Sequence, residues 1–150
     1  MTGENGKSVT EQAPKEPLEC VELDHLWKFA TDPDDVGVEQ KWYAPDTDDG
    51  EWAEVRDDLE KGWDRQGFPN YTGYGWYRRQ IPVPEGFADW KYQYLLFAGA
   101  DQDAEVYVNG AKVFEHSCAS TGLSREEIWI TPFAVDAKSL LKPGCDSLLA

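Results

Sequence analysis

Residues 63–74 read WDRQGFPNYTGY. This short segment holds two side-chain amides, Gln66 and Asn70, and two phenols, Tyr71 and Tyr74. An amide both donates and accepts, so it can pair with a hydroxyl in either sense. A phenol adds a ring that stacks on apolar faces and a polar tip. Gly67, Pro69 and Gly73 give the segment a turned path. These groups suit binding of a polyhydroxylated ligand.

Other chemistry-bearing residues are scattered. Asp32-Pro33-Asp34-Asp35 and Asp46-Thr47-Asp48-Asp49-Gly50 are acidic turn segments. Clustered carboxylates can bind calcium, a hard cation. The second segment departs from the EF-hand pattern, because its Gly falls one place early and no Glu stands at the twelfth position. Solvated turns are the preferred reading of both. Ca2+ is thus possible but has no specific motif behind it, and no cofactor is expected. His25 falls on an apolar side by alternation and reads as a hydrogen-bonded structural histidine. Cys20, Cys118 and Cys145 allow at most one internal disulfide and have no metal-ligand spacing.

The 150 residues suit one domain. A net charge of −15 argues against nucleic acid, whose phosphates need a basic surface, and against anionic membranes. No apolar run reaches the length of a membrane span, and no signal peptide is visible at Met1. Location stays open, leaning to secreted or periplasmic. The chain carries 7 Trp, 7 Tyr and 6 Phe, with 29 acidic residues against 14 basic. Rings beside carboxylates and amides are the materials of sugar recognition. They equally fill a β core and keep it dissolved, and composition alone favours that second reading.

Short strands must position these groups. In EVYVNGAKVF (105–114), Asn109-Gly110 predicts a two-residue type I′ turn. Val108 would then oppose Ala111, Tyr107 Lys112, Val106 Val113 and Glu105 Phe114. Val106, Val108, Ala111 and Val113 would form a buried apolar face. Tyr107, Lys112 and Phe114 would face another layer or a neighbouring domain, with His116 toward the loop end. Further strands are expected near 21–29, 76–83, 128–130 and 147–150. Residues 92–98 are apolar on both sides, as in a central strand. Trp52, Val55 and Leu59 have helical spacing within 51–62, and 136–141 suggests one helical turn before Pro143-Gly144. Residues 1–19 read as a disordered arm, and 20–150 as one β-sandwich lacking part of its last strand.

The ordered series LDHLWKF (23–29), GWDRQGFPNYTGYGWYRRQIPVP (62–84), YLLFAGADQDAEVYVNGAKVFEH (94–116), PFAVD (132–136) and LKPG (141–144) resembles the N-terminal sugar-binding domain of glycoside hydrolase family 2. That family includes β-galactosidases, β-glucuronidases and β-mannosidases. The resemblance covers roughly residues 21–150. It implies an all-β fold: an antiparallel β-sandwich, a jelly roll of the galactose-binding type. It also implies a non-catalytic role, with the two catalytic glutamates in a later barrel domain of the same parent chain, so no catalytic residue is assigned here. The loop from Trp63 to Tyr74 can approach the barrel's active site in such enzymes, with Trp63 pinning it to the core. His116 matches a histidine that commonly follows the hairpin. The family pattern then breaks, and SCASTGLSREEIWIT (117–131) brings Trp129 beside the hairpin's end.

The carbohydrate contacts expected from this resemblance are Gln66, Asn70, Tyr71, Tyr74, His116 and Trp129. One of Arg78 and Arg79 is expected to pair with an acidic neighbour. The alternatives are a freestanding carbohydrate-binding module and a ligand-free structural or adhesion domain of the same fold.

Overall fold

A computed structural model describes residues 20–60 and 62–150. The arm expected at 1–19 lies outside them. Eight strands form: β1 Leu26–Asp32, β2 Ala53–Arg56, β3 Tyr74–Pro82, β4 Tyr94–Phe97, β5 Ala104–Val108, β6 Ala111–His116, β7 Phe133–Asp136 and β8 Asp146–Leu149. Two single-turn helices, α1 Cys118–Thr121 and α2 Arg125–Ile128, join β6 to β7. One sheet has the order β2-β1-β3-β8-β5-β6, and β4 pairs with β7 in a second. Every pairing is antiparallel. The chain is an all-β antiparallel sandwich, as expected.

The core lies between the sheets. Ile81, Val106, Val108 and Leu149 come from the large sheet, and Val135 from the small one. Phe87, Ala137 and Leu141 close the gap from connecting segments. Burying side chains of this size contributes about 1.5–3 kcal/mol each.

The hairpin turn forms as expected, with φ of 50° at Asn109 and 87° at Gly110. Its register does not hold throughout. A bulge between Val106 and Tyr107 sets Val106 opposite Phe114 and Glu105 opposite Glu115. Phe114 therefore turns inward and stacks on Phe133 at 5.7 Å, while Ala111 is exposed and Val113 half-buried. An extra residue in one strand of a pair reverses the faces beyond it. Here the gain is an aromatic stack that sequence alternation does not reveal.

Three further expectations are corrected. Residues 53–56 form edge strand β2 in place of a helix, because alternation buries Val55 against β1. Residues 128–130, expected as a strand, instead close helix α2 (Arg125–Ile128) and enter a turn. Ser124 and Glu127 cap the helix reciprocally, and Ile128 is fully buried. Strand β4 is not central: Leu95 and Phe97 pack inward, whereas Tyr94 and Leu96 face out. The helical turn after β7 is present, with the Leu141 N–H donating to Ala137 O at 3.3 Å.

Tyr107 is covered by the chain's own 33–50 connection, not by a second domain. Its ring stacks on Tyr43 at 4.6 Å and meets Trp76 at 5.6 Å. Arg78 holds that connection down. Its guanidinium donates to Asp49 Oδ2 at 2.8 Å and to the carbonyls of Trp42, Ala44 and Thr47 at 2.6, 2.9 and 3.3 Å. Asp32 anchors the other end. Its carboxylate accepts the Val36 and Gly37 amides at 2.9 and 2.8 Å and Trp76 Nε1 at 3.0 Å.

Candidate functional site

The 63–74 segment joins β2 to β3 and is fixed at several points. Gly62–Arg65 is a 3-10 turn. It seats Trp63 against Phe29, with centroids 5.1 Å apart, and Trp63 Nε1 donates to the Tyr77 hydroxyl. Gly75 makes room for this. A Cβ there would lie 2.7 Å from Trp63 and 2.6 Å from Phe29, far inside van der Waals contact. Trp63 is thus the pin that the sequence suggested.

Gln66 acts as a substitute strand for the free edge of β2. Its Oε1 accepts the Arg56 N–H at 2.6 Å, and its Nε2 donates to Arg56 O at 2.8 Å and Gly62 O at 3.2 Å. Both ends of the amide are occupied by backbone. Asp64 Oδ1 accepts the Asn70 N–H at 2.7 Å, holding Asn70 at a φ of 59°. Tyr71 donates its hydroxyl proton to Tyr74 O at 2.6 Å and packs on Trp63 at 5.5 Å. Burial pushes its phenol pKa up. Gly73 permits that closure, since a Cβ there would sit 2.8 Å from the Tyr71 hydroxyl.

Of the four candidate contacts in this segment, Asn70 and Tyr74 face outward, beside the exposed Asp64, Arg65 and Thr72. Both are exposed, Tyr74 at 60%. Asn70 stands on the turn and Tyr74 at the start of β3; an amide and a ring are groups that suit a hydroxylated ring with an apolar face.

His116 and Trp129 are placed elsewhere. His116 is only 2% exposed. Its ring stacks on Phe133 at 4.2 Å, and its Nε2 lies 3.2 Å from Ile128 O. A carbonyl only accepts, so that nitrogen carries the proton. The imidazole ties hairpin, β7 and α2 together and meets no solvent. Trp129 follows α2 and is 53% exposed. Its carbonyl abuts Gly99, 2.6 Å from where a Cβ would stand. Among the described residues no hydrogen bond or ring contact joins it to the 63–74 segment.

Several acidic groups are engaged. Asp32 and Asp49 serve amides and Arg78, as above. Asp24 pairs with Arg79 at 3.3 Å and Glu54 with Lys28 at 3.6 Å, around a shallow depression beside β1. His25, Asp57 and Asp58 approach each other closely enough to share an ion. Their atoms are already engaged, however. Asp57 takes His25 Nδ1 and Trp27 Nε1, both at 2.7 Å, and Asp58 takes Arg56 in two bonds. The His25 reading as a structural histidine holds, although it is only half-buried. All three cysteines are free.

Sequence reasoning missed that Gln66 would be consumed by β2. The signal was absent from the segment itself, because it depends on Arg56 lying at a sheet edge.

Residues 20–143 match the family described as glycosyl hydrolases family 2, sugar binding domain. The chain is 31% identical over 137 residues to a β-glucuronidase of Homo sapiens, covering 84% of this chain and 19% of that protein. It is 26% identical over 133 residues to a β-glucuronidase of Paenibacillus borealis, covering 87% and 20%. Among solved structures, the Lactobacillus rhamnosus β-glucuronidase shares the fold with a TM-score of 0.64 at 24% identity, over 85% of this chain and 20% of that one. The chain therefore spans about a fifth of the length of these relatives.

Proposed function

The chain belongs to the sugar-binding domains of glycosyl hydrolase family 2, and on that premise we propose that it is the non-catalytic sandwich of a longer glycosidase of β-glucuronidase type. The observation that carries this reading is the 62–74 turn, pinned by Trp63, Gln66 and Tyr71 so that Asn70 and Tyr74 stand free. Those two residues contact the sugar. Gln66 and Tyr71 hold the turn, and His116 holds the sandwich. Trp129 is a separate exposed ring that contributes only to an extended glycan.

Hydrolysis with retention needs two carboxyl groups about 5–5.5 Å apart flanking the scissile bond. The family reading assigns that pair to another part of the parent chain. Each hydroxyl contact adds about 1 kcal/mol net. The domain alone then binds sugar at roughly millimolar Kd.

The test is hydrolysis of an aryl β-D-glucuronide by the complete gene product and by residues 1–150. Turnover by the first and none by the second is expected. Turnover by residues 1–150 that vanishes on changing one of their own acids would overturn the assignment. A reading frame that stops after Ala150 would leave a freestanding carbohydrate-binding module or a ligand-free structural domain, which glycan-array binding separates.

A further inference from the structure

The outer face of the β4–β7 ribbon is apolar and uncovered. Tyr94 and Leu96 point outward from β4, 48% and 71% exposed, opposite Asp136 and Ala134. The alternation continues past the strand ends, where Tyr92, Ala98 and Pro132 are also exposed. An antiparallel sheet with one wet face ordinarily carries polar residues there. This face carries two tyrosines, a leucine, two alanines and a proline, with Asp136 and Lys138 at one end. Strand β4 has the composition of a strand packed on both sides, and the described residues supply only one of them. A contiguous apolar patch of this kind is as large as the greatest patch of an ordinary monomer, a size often tied to function.

We propose that this face docks against the remainder of the parent chain, on an uncharged apolar surface of the neighbouring domain. The inference rests on the reading of the chain as part of a longer glycosidase. Three observations select that occupant. The relatives are about five times longer than the match, at 19% and 20% coverage, so a large covalently joined body is at hand. The ribbon is small: at about 3.4 Å per residue and 4.8 Å between strands it offers on the order of 300 Å². A stable free interface needs roughly 800 Å² per partner. Tethering removes that requirement, because the second contact becomes intramolecular. A second copy would also bring another −15 charge against the first, which opposes self-association.

The experiment is hydroxyl-radical footprinting of the complete gene product, read residue by residue. Leu59 and Leu26, at 45% and 44% exposure, are references of the same side-chain type. Left uncovered, Leu96 would label more than either. Docking reverses the order: Leu96 labels at least about fivefold less than both references, and that protection persists on dilution to nanomolar protein. A Leu96→Asp variant of the complete protein should restore labelling of Tyr94 while the glucuronidase site stays folded, seen as retained binding of a glucuronate-based inhibitor. Leu96 labelled above Leu59 in a longer protein overturns the docking face and leaves the parent reading intact. Protection lost on dilution assigns the face to a second copy and also overturns it. A reading frame with no further domain removes the parent reading itself.

Discussion

Asn109 and Leu148 exchange two hydrogen bonds across the large sheet. The Asn109 N–H donates to Leu148 O at 2.9 Å, and the Leu148 N–H donates to Asn109 Oδ1 at 2.8 Å. Asn109 Nδ2 also reaches Ser147 Oγ at 3.3 Å. One residue thus makes the hairpin turn and splices β8 to β5. Asn109→Ala should cost about 2–3 kcal/mol, from roughly 1 kcal/mol per lost bond and about 1 kcal/mol for a left-handed backbone without glycine or asparagine. Asn109→Gly keeps the turn and should cost about 1 kcal/mol less. Urea unfolding of both variants checks the ordering, and equal losses would show that the left-handed backbone at 109 contributes nothing and the side-chain bonds everything.

Arg78 is buried and holds four acceptors of the 42–49 segment. Arg78→Met leaves Asp49 and three carbonyls unpaired and should lower stability by about 3–5 kcal/mol. Trp42 and Trp52, which meet at 5.6 Å, should gain solvent exposure. A red-shifted tryptophan emission at temperatures below unfolding is the expected signature. An unshifted spectrum would mean that aromatic packing alone retains the segment.

Tyr71 and Tyr74 sit three residues apart and should respond in opposite ways. Tyr74→Ala removes an exposed ring and should weaken glycan binding, or kcat/KM of the parent enzyme, about tenfold with little change in Tm. Tyr71→Ala removes the packing on Trp63 and the bond to Tyr74 O, so Tm should fall by several degrees. Isothermal titration and calorimetry on the same two proteins decide it. Unchanged affinity in Tyr74→Ala would reduce the turn to scaffold.

Asp32 and His25 both contribute to the pH dependence of folding. Burial raises the pKa of Asp32, but the Val36 and Gly37 amides and Trp76 outweigh it and leave it lowered. Its contribution is present above the unfolded value near 3.9 and is lost as pH falls through the lower folded value. The hydrogen bond to Asp57 raises the His25 pKa. Its contribution is full below the unfolded value near 6.5 and fades as pH rises through the higher folded value. Stability should therefore be greatest between about pH 4 and 6.5 on these groups alone. Asp32→Asn should flatten the acid limb, and His25→Gln the alkaline one, in urea midpoints measured across pH.

How far the sequence could be read depended on the range of the interactions. The Asn109-Gly110 turn was legible because its backbone requirement is local. The same holds for the helical turn after Asp136, whereas of Arg78 and Arg79, one of which is expected to pair with an acid, both do, with Asp49 and Asp24. The inward turn of Phe114 was not legible, since it answers to Phe133. Strand β2 imitated a helix because Trp52, Val55 and Leu59 are too few to fix a period, and pairing with β1 decided the matter. In the 63–74 segment the residue types were right but the roles were not separable. Gln66 and Asn70 offer the same amide, and only the edge of β2 distinguishes them.

Strand β8 stands between β3 and β5, yet it is the last of the eight to be synthesised. Until it emerges, the large sheet exists as two halves, β2-β1-β3 and β5-β6, each with an open inner edge. A ribosome therefore carries two sticky half-sheets from the time β6 emerges until β8 follows. Closure joins Arg79 to Leu149, positions far apart along the chain, and such contacts are slow to find. The nascent chain is most prone to aggregate in that interval, and trigger-type chaperones have the most to shield there.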